Sequence, residues 1–206
     1  MNPPDTVATV AGRPVPVTAL DDRESRLRAG GLASSLPRPG TSEGRQLRRW
    51  LAQLLVTEQV VRAAAEALAV SDLDAPTETE LLPDPAARME IGSITAAALE
   101  QPLARALFVR VTAAVRLGDD EVADYHARNP MRFARPVPGP DGWSTAATVA
   151  PPLTQVRRQI AEHLLGSARR RAFRRWLDAR RAESVYLAPG YEHPGDPRQP
   201  DHVHRH

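Results

Sequence analysis

The chain contains no cysteine and no lysine. The first absence excludes disulfides, thiol nucleophiles and zinc sites of the cysteine type. The second excludes Schiff-base lysine chemistry and the phosphate-binding lysine of a P-loop. All 27 Lys+Arg positions are arginine, a bias that GC-rich genomes such as those of actinobacteria produce. Aromatic side chains are scarce, at 4%. No apolar run approaches the about 18 residues of a membrane-spanning helix. The opening Met1-Asn2-Pro3-Pro4-Asp5 has neither a basic nor an apolar signal-peptide region, so a cytoplasmic protein is expected.

What is present is globular. The 206 residues are 42% hydrophobic and 25% charged, enough for one domain with a core, or a domain plus a tail. The net charge of +2 conceals an asymmetry. Eight acidic residues against Arg88 alone lie between Glu66 and Glu100. Nine arginines against Glu162 and Asp178 lie between Arg157 and Arg181. Two solvated faces that attract each other explain this, as does an acidic partner for the basic helix.

Short β segments are expected from Val7 to Val17 around a turn at Gly12-Arg13, with Pro14 and Pro16 restricting any ladder to an edge. Thr18 and Asp21 stand in the N-cap and N3 relation of a helix start. Gly30 to Gly44 reads as a loop, followed by a helix from about Glu43 to Ala69 that carries Leu47, Leu51, Leu54, Leu55, Val61 and Leu68 at helical spacing. Asp72 to Pro85 reads as an acidic linker. Helical pattern resumes at Ser93, breaks near Pro102 and restarts there, with Leu103, Leu107, Val111 and Val115 on one face. Asp119-Asp120-Glu121 opens a short helix that ends at Asn129-Pro130. The last helix carries the stripe Leu153, Val156, Ile160, Leu164, Ala168, Phe173, Trp176 and Leu177, and a strand follows at Ser184–Leu187.

Three segments carry a resemblance. Val7-Ala8-Thr9-Val10-Ala11-Gly12-Arg13-Pro14-Val15 resembles the V-x-G-x-x-I opening of the parvulin-type foldases of the SurA and PpiC/PrsA class. Asp119 through Tyr125-His126 to Asn129-Pro130-Met131-Arg132-Phe133 is similar to the E-V-x-x-Y-Y-x-x-N-x-x-x-F segment before their isomerase domain. Arg157 to Val185 resembles their closing helix. The resemblance implies a mainly α fold: a SurA/trigger-factor-like helical domain over residues 1–187, with a short two-stranded β element joining the chain ends. It also implies that the N-terminal hairpin pairs with the strand at Ser184–Leu187.

Where that family inserts an isomerase domain of about a hundred residues, an ordinary domain size, this chain has only the irregular stretch 134–152. Prolyl isomerase activity is therefore not expected, and the implied role is the family's non-catalytic one, the cradling of apolar client segments. Residues 188–206 form a Pro/His-rich tail. Its Gly190-to-Asp201 portion resembles the ending of short actinobacterial polyketide-cluster proteins labelled malonyl-CoA:ACP transacylase.

Several constellations bear on chemistry. Gly40-Thr41-Ser42-Glu43-Gly44 matches the nucleophile elbow G-x-S-x-G, which requires a strand before the serine and a helix after it. The prolines before Ser42 oppose such a strand, and Ser42 reads as a helix cap. His202, His204 and His206 alternate, so an extended backbone turns all three to one side. Together with His193, and with His163 from the last helix, they form a candidate set for a divalent transition metal such as Zn, Ni, Cu or Fe. A polar terminus without a resident metal explains the same residues. Arg169, Arg170, Arg174 and Arg175 form a candidate partner-binding patch opposite the Phe173/Trp176/Leu177 face. Without interleaved aromatics or a recognised motif, nucleic acid is not the expected partner.

The leading expectation is a non-catalytic, chaperone-like binding protein serving a biosynthetic (polyketide) pathway, whose client is a protein or peptide such as an acidic carrier protein, with no membrane partner. The alternatives are a metal-dependent enzyme of secondary metabolism that uses the His-rich tail, and malonyl or acyl transfer to a carrier protein.

Overall fold

Two segments at opposite ends of the chain build one small sheet. The computed structural model describes residues 5–31, 33–136 and 148–196. Strand β1 (Thr6–Val10) turns through Ala11 and Gly12 into β2 (Arg13–Pro16). Both turn residues have positive φ, 47° and 78°, as primed hairpin turns demand. The turn thus sits one residue earlier than Gly12-Arg13, because glycine and its predecessor tolerate the left-handed region and Arg13 is needed in the ladder. Strand β5 (Val185–Leu187) pairs antiparallel with the other side of β1, placing Ala8 opposite Leu187 and Val10 opposite Val185. The sheet is three-stranded in the order β2-β1-β5, where a two-stranded element was expected. Its central strand is almost wholly buried, with Val7 and Ala8 at 0% exposure. The proline-bearing β2 occupies an edge, as a strand lacking N–H donors must.

Helices make up most of the rest: α1 (Val17–Arg28), α2 (Ser42–Ala67), α3 (Glu78–Leu81), α4 (Pro85–Ile91), α5 (Ser93–Ala98), α6 (Pro102–Thr112), α7 (Asp119–Arg128) and α8 (Leu153–Ser184). Helix α1 starts directly after β2 with Pro16 as N-cap and no side-chain cap, so the Thr18/Asp21 relation is not used. Fixed φ at Pro16 and the tight exit from the strand set the start instead. The acidic stretch expected as a linker contains α3, whose Thr77 accepts from Glu80 N while the Glu80 carboxylate accepts from Thr77 N, a reciprocal capping box. It is followed by α4, capped by Asp84 accepting from Ala87 N at 2.7 Å. Both helices are too short to repeat an apolar position over several turns, which hid them from periodicity.

The chain divides into two compact units, residues 1–111 with 173–206, and 112–172. In the first, α2 supplies the buried Leu51, Ala52, Val56, Val60 and Val61. They pack with Leu20, Ile91, Leu99, Leu107, Phe108 and Phe173, and the Phe108 and Phe173 rings lie 5.0 Å apart. The second unit has a smaller core of Val122, Val156 and Ile160, flanked by Leu117, Tyr125, Phe133, Leu153 and Leu164. Strands β3 (Arg135–Pro136) and β4 (Thr148–Val149) pair at the two ends of the stretch expected to be irregular.

The segment that carries the Tyr/Asn/Phe resemblance closes its own helix and packs on α8. Glu121 accepts from Gly118 N at 2.8 Å and so caps α7. Val122 enters the core, and Asn129 donates to Tyr125 O at 2.9 Å to close the helix. Phe133 meets the Tyr125 ring edge-on at 6.2 Å.

Candidate functional site

A groove in the unit of residues 112–172 combines apolar lining with arginine. Its volume is about 590 Å³, and its apolar lining is Val115, Leu117, Val122, Ala161 and Leu165. Arg116, Asp119, Arg158, Glu162 and Arg169 complete it. One wall comes from α8, where 158, 161, 162, 165 and 169 recur at spacings of three and four and so share a helix face. The other wall is the turn from α6 into α7. There Arg116 donates to the Ala113 and Val115 carbonyls, which holds its side chain against the backbone.

The charges at this rim are unequally matched. Asp119 is paired with Arg157 at 2.7 Å. Glu162 faces Arg158 only at 3.9 Å, with both side chains largely exposed, a pair of little energetic weight. The Nε of Arg169 is buried and, among the described residues, has no hydrogen-bond partner. An unpaired buried donor beside apolar side chains favours a ligand that brings an acceptor together with apolar surface.

The sequence-predicted site residues separate. Arg169 lines the groove. Arg170 does not share the solvated face expected of it: it is buried, at 6% exposure. Positions 170, 173 and 177 fall on one helical face, and Gly166 makes room for the guanidinium, since a Cβ there would stand 3.2 Å from Arg170 Nη1. Arg174 is exposed and donates to Glu90 O at 3.4 Å, and Arg175 is exposed. His163 stacks obliquely on Tyr125, ring centroids 5.7 Å apart. His126 places Nε2 2.8 Å from the Pro151 carbonyl, so it serves as a structural donor.

His193 lies in the first unit, where Gly195 N donates to its Nδ1 at 3.0 Å. Burial first, and then the positive charge of Arg181, hold its pKa below the ordinary value. His202, His204 and His206 fall outside the described residues. Among the described residues no three His, Asp or Glu side chains converge as metal ligands would.

The G-x-S-x-G match has a structural explanation. Thr41, not Ser42, caps α2, its hydroxyl accepting from Gly44 N at 3.0 Å. A 3-10 turn at Ala33–Ser35 stands where an elbow requires a strand. Gly40 has φ +83°, and a Cβ on Gly44 would lie 2.2 Å from the Arg38 carbonyl oxygen. Both glycines are therefore demanded by the turn.

Sequence reasoning missed Val115, Leu117 and Leu165 as lining residues. The available signal was the second stripe of α8 at 161 and 165, beside the core stripe at 153, 156, 160 and 164.

Among the described residues no helix is long and apolar enough to cross a membrane. Residues 6–43, which span β1, β2 and α1, match a family model described as a Family of unknown function (DUF7158). No curated protein and no solved structure matches the chain.

Proposed function

We propose that this protein is a non-catalytic, chaperone-like binding module of the SurA/PpiC scaffold type that holds an apolar, acidic peptide segment. The observation that carries this reading is the groove of residues 112–172. Its lining is largely apolar, its volume is in the range of about 300–1,000 Å³ usual for binding sites, and Arg169, whose buried Nε has no hydrogen-bond partner among the described residues, stands at it. Helix α8 contributes Arg158, Ala161, Glu162, Leu165 and Arg169 to the groove beside its core positions Val156 and Ile160, and Val122 is shared between groove and core. Antiparallel closure of the chain ends through β1 and β5 is the arrangement that the resemblance implies, and it supports the same assignment. A client segment would lay two or three aliphatic side chains on Val115, Leu117 and Leu165 and set a carboxylate against Arg169, a charge-assisted contact.

The test is binding of a permanently unfolded acidic protein, reduced and carboxymethylated α-lactalbumin, measured by fluorescence anisotropy with the full chain. Leu165→Glu is expected to abolish binding by placing a carboxylate on the floor, and Arg169→Gln to weaken it by about tenfold, the loss of one charge-assisted hydrogen bond. Binding that is unchanged in both folded variants removes the groove from the reading.

A further inference from the structure

We propose that the cleft around Arg181 in the unit formed by both chain ends binds a small oxyanion, the carboxylate or phosphate group of a low-molecular-weight acid. This inference goes beyond the client-binding reading and uses a different unit of the chain. The cleft has a volume of about 150 Å³, and its lining includes Thr57, Ser93, Arg174, Asp178, Arg181 and His193. That volume admits one anionic group and excludes a folded or extended chain.

The guanidinium at its base is held by neutral partners. Arg181 Nη1 donates to Thr57 Oγ1 at 2.6 Å, and Nη2 donates to Gln53 Oε1. Both partners are committed elsewhere as well. The Thr57 hydroxyl donates to Gln53 O at 2.8 Å, and Gln53 Nε2 donates to Tyr191 O at 2.6 Å. The side chain is thereby fixed in place, while two of its five N–H donors are used by these contacts. Its hydrogen bonds go to these neutral oxygens, and the carboxylate whose charge reaches it is Asp178, three residues earlier on the same helix. The charge that faces the cleft is Arg181 with Arg174, against Asp178 alone.

His193 adds a donor without adding charge. Its Nδ1 accepts from Gly195 N, which leaves the proton of the neutral ring on Nε2. Its lowered pKa, caused by burial and then by Arg181, agrees with a neutral ring at pH 7. Arg181, half-buried and hydrogen-bonded only to amide and hydroxyl oxygens, keeps a positive potential that the nearby Asp178 does not pair directly. A carboxylate or phosphate gains most from that potential.

The experiment is an NMR titration of the full chain with sodium phosphate and, separately, sodium acetate, against sodium chloride at matched ionic strength. The Arg181 Nε–H and His193 Cε1–H resonances are followed. Saturable shifts with phosphate, acetate or both, and none with chloride, support the site and identify which oxyanion it takes. Arg174→Gln, an exposed change that spares the fold, is expected to weaken binding about tenfold. Absent or non-saturating shifts with both oxyanions, or equal shifts with chloride, overturn the proposal.

Discussion

Arg181 donates to the Thr57 hydroxyl at 2.6 Å, joining side chains 124 positions apart in the chain. Thr57 is buried, at 1% exposure, so removing its oxygen leaves a guanidinium without one of its acceptors in a place that water reaches poorly. We predict that Thr57→Val costs about 1–3 kcal/mol, the penalty for an unsatisfied buried polar group, and that Thr57→Ser keeps most of the stability. Urea denaturation of the two variants decides it, and equal losses would show that the hydroxyl is not the cause.

Gly44 is a steric requirement of the turn into α2. A methyl group at this position would stand 2.2 Å from Arg38 O and 3.1 Å from its carbonyl carbon, and a backbone carbonyl has little freedom to retreat. Gly44→Ala is predicted to destabilise by about 1–3 kcal/mol as an overpacked site, despite the about 1 kcal/mol by which alanine favours a helix. Gly31→Ala, where nothing lies within 4 Å, is the control, and thermal melts compare them.

Ile160 is fully buried in a core whose other buried members, among the described residues, are Val122 and Val156. Ile160→Ala is predicted to cost about 2–5 kcal/mol and Ile160→Val about 0.5–1.5 kcal/mol. Amide hydrogen exchange in α7 reads the effect directly, because α7 is anchored to this core through Val122. Unchanged α7 protection in the alanine variant would contradict the packing described.

His193 gives the fold a pH dependence with a definite sign. Its folded pKa is lowered from 6.5, by burial and then by Arg181. As pH falls through about 6.5 the unfolded chain takes up this proton before the folded chain does, so stability falls until the folded pKa is passed. The contribution is present above about pH 6.5 and lost below it. An NMR titration of the His193 ring is expected to give a midpoint below 6.5, and Arg181→Gln to move it upward. A midpoint at or above 6.5 in the parent chain would sink the prediction.

The long elements were legible in the sequence because their apolar positions repeat over several turns. The stripe at Val156, Ile160, Phe173 and Leu177 identified α8, and Leu51, Leu54 and Val61 identified α2. Helices α3 and α4 were not legible, since four and seven residues repeat the helical period at most about twice and their starts depend on Thr77 and Asp84 capping contacts. The candidate site was legible only at Arg169. Arg170 looked equivalent to its neighbours, yet the space above Gly166 draws it under cover.

The sequence by itself determined a helical chain without thiol or lysine chemistry, its proline-limited edge strand and its charge asymmetry, because composition and local spacing act on neighbouring residues. Tertiary structure alone decided which arginines are buried, exposed or left without a counter-ion. It also decided that the two chain ends share β1 as a central strand. The anchoring of Arg181 and the sharing of β1 depend on residues more than a hundred positions apart being brought within hydrogen-bond distance, and no local pattern encodes a separation of that kind.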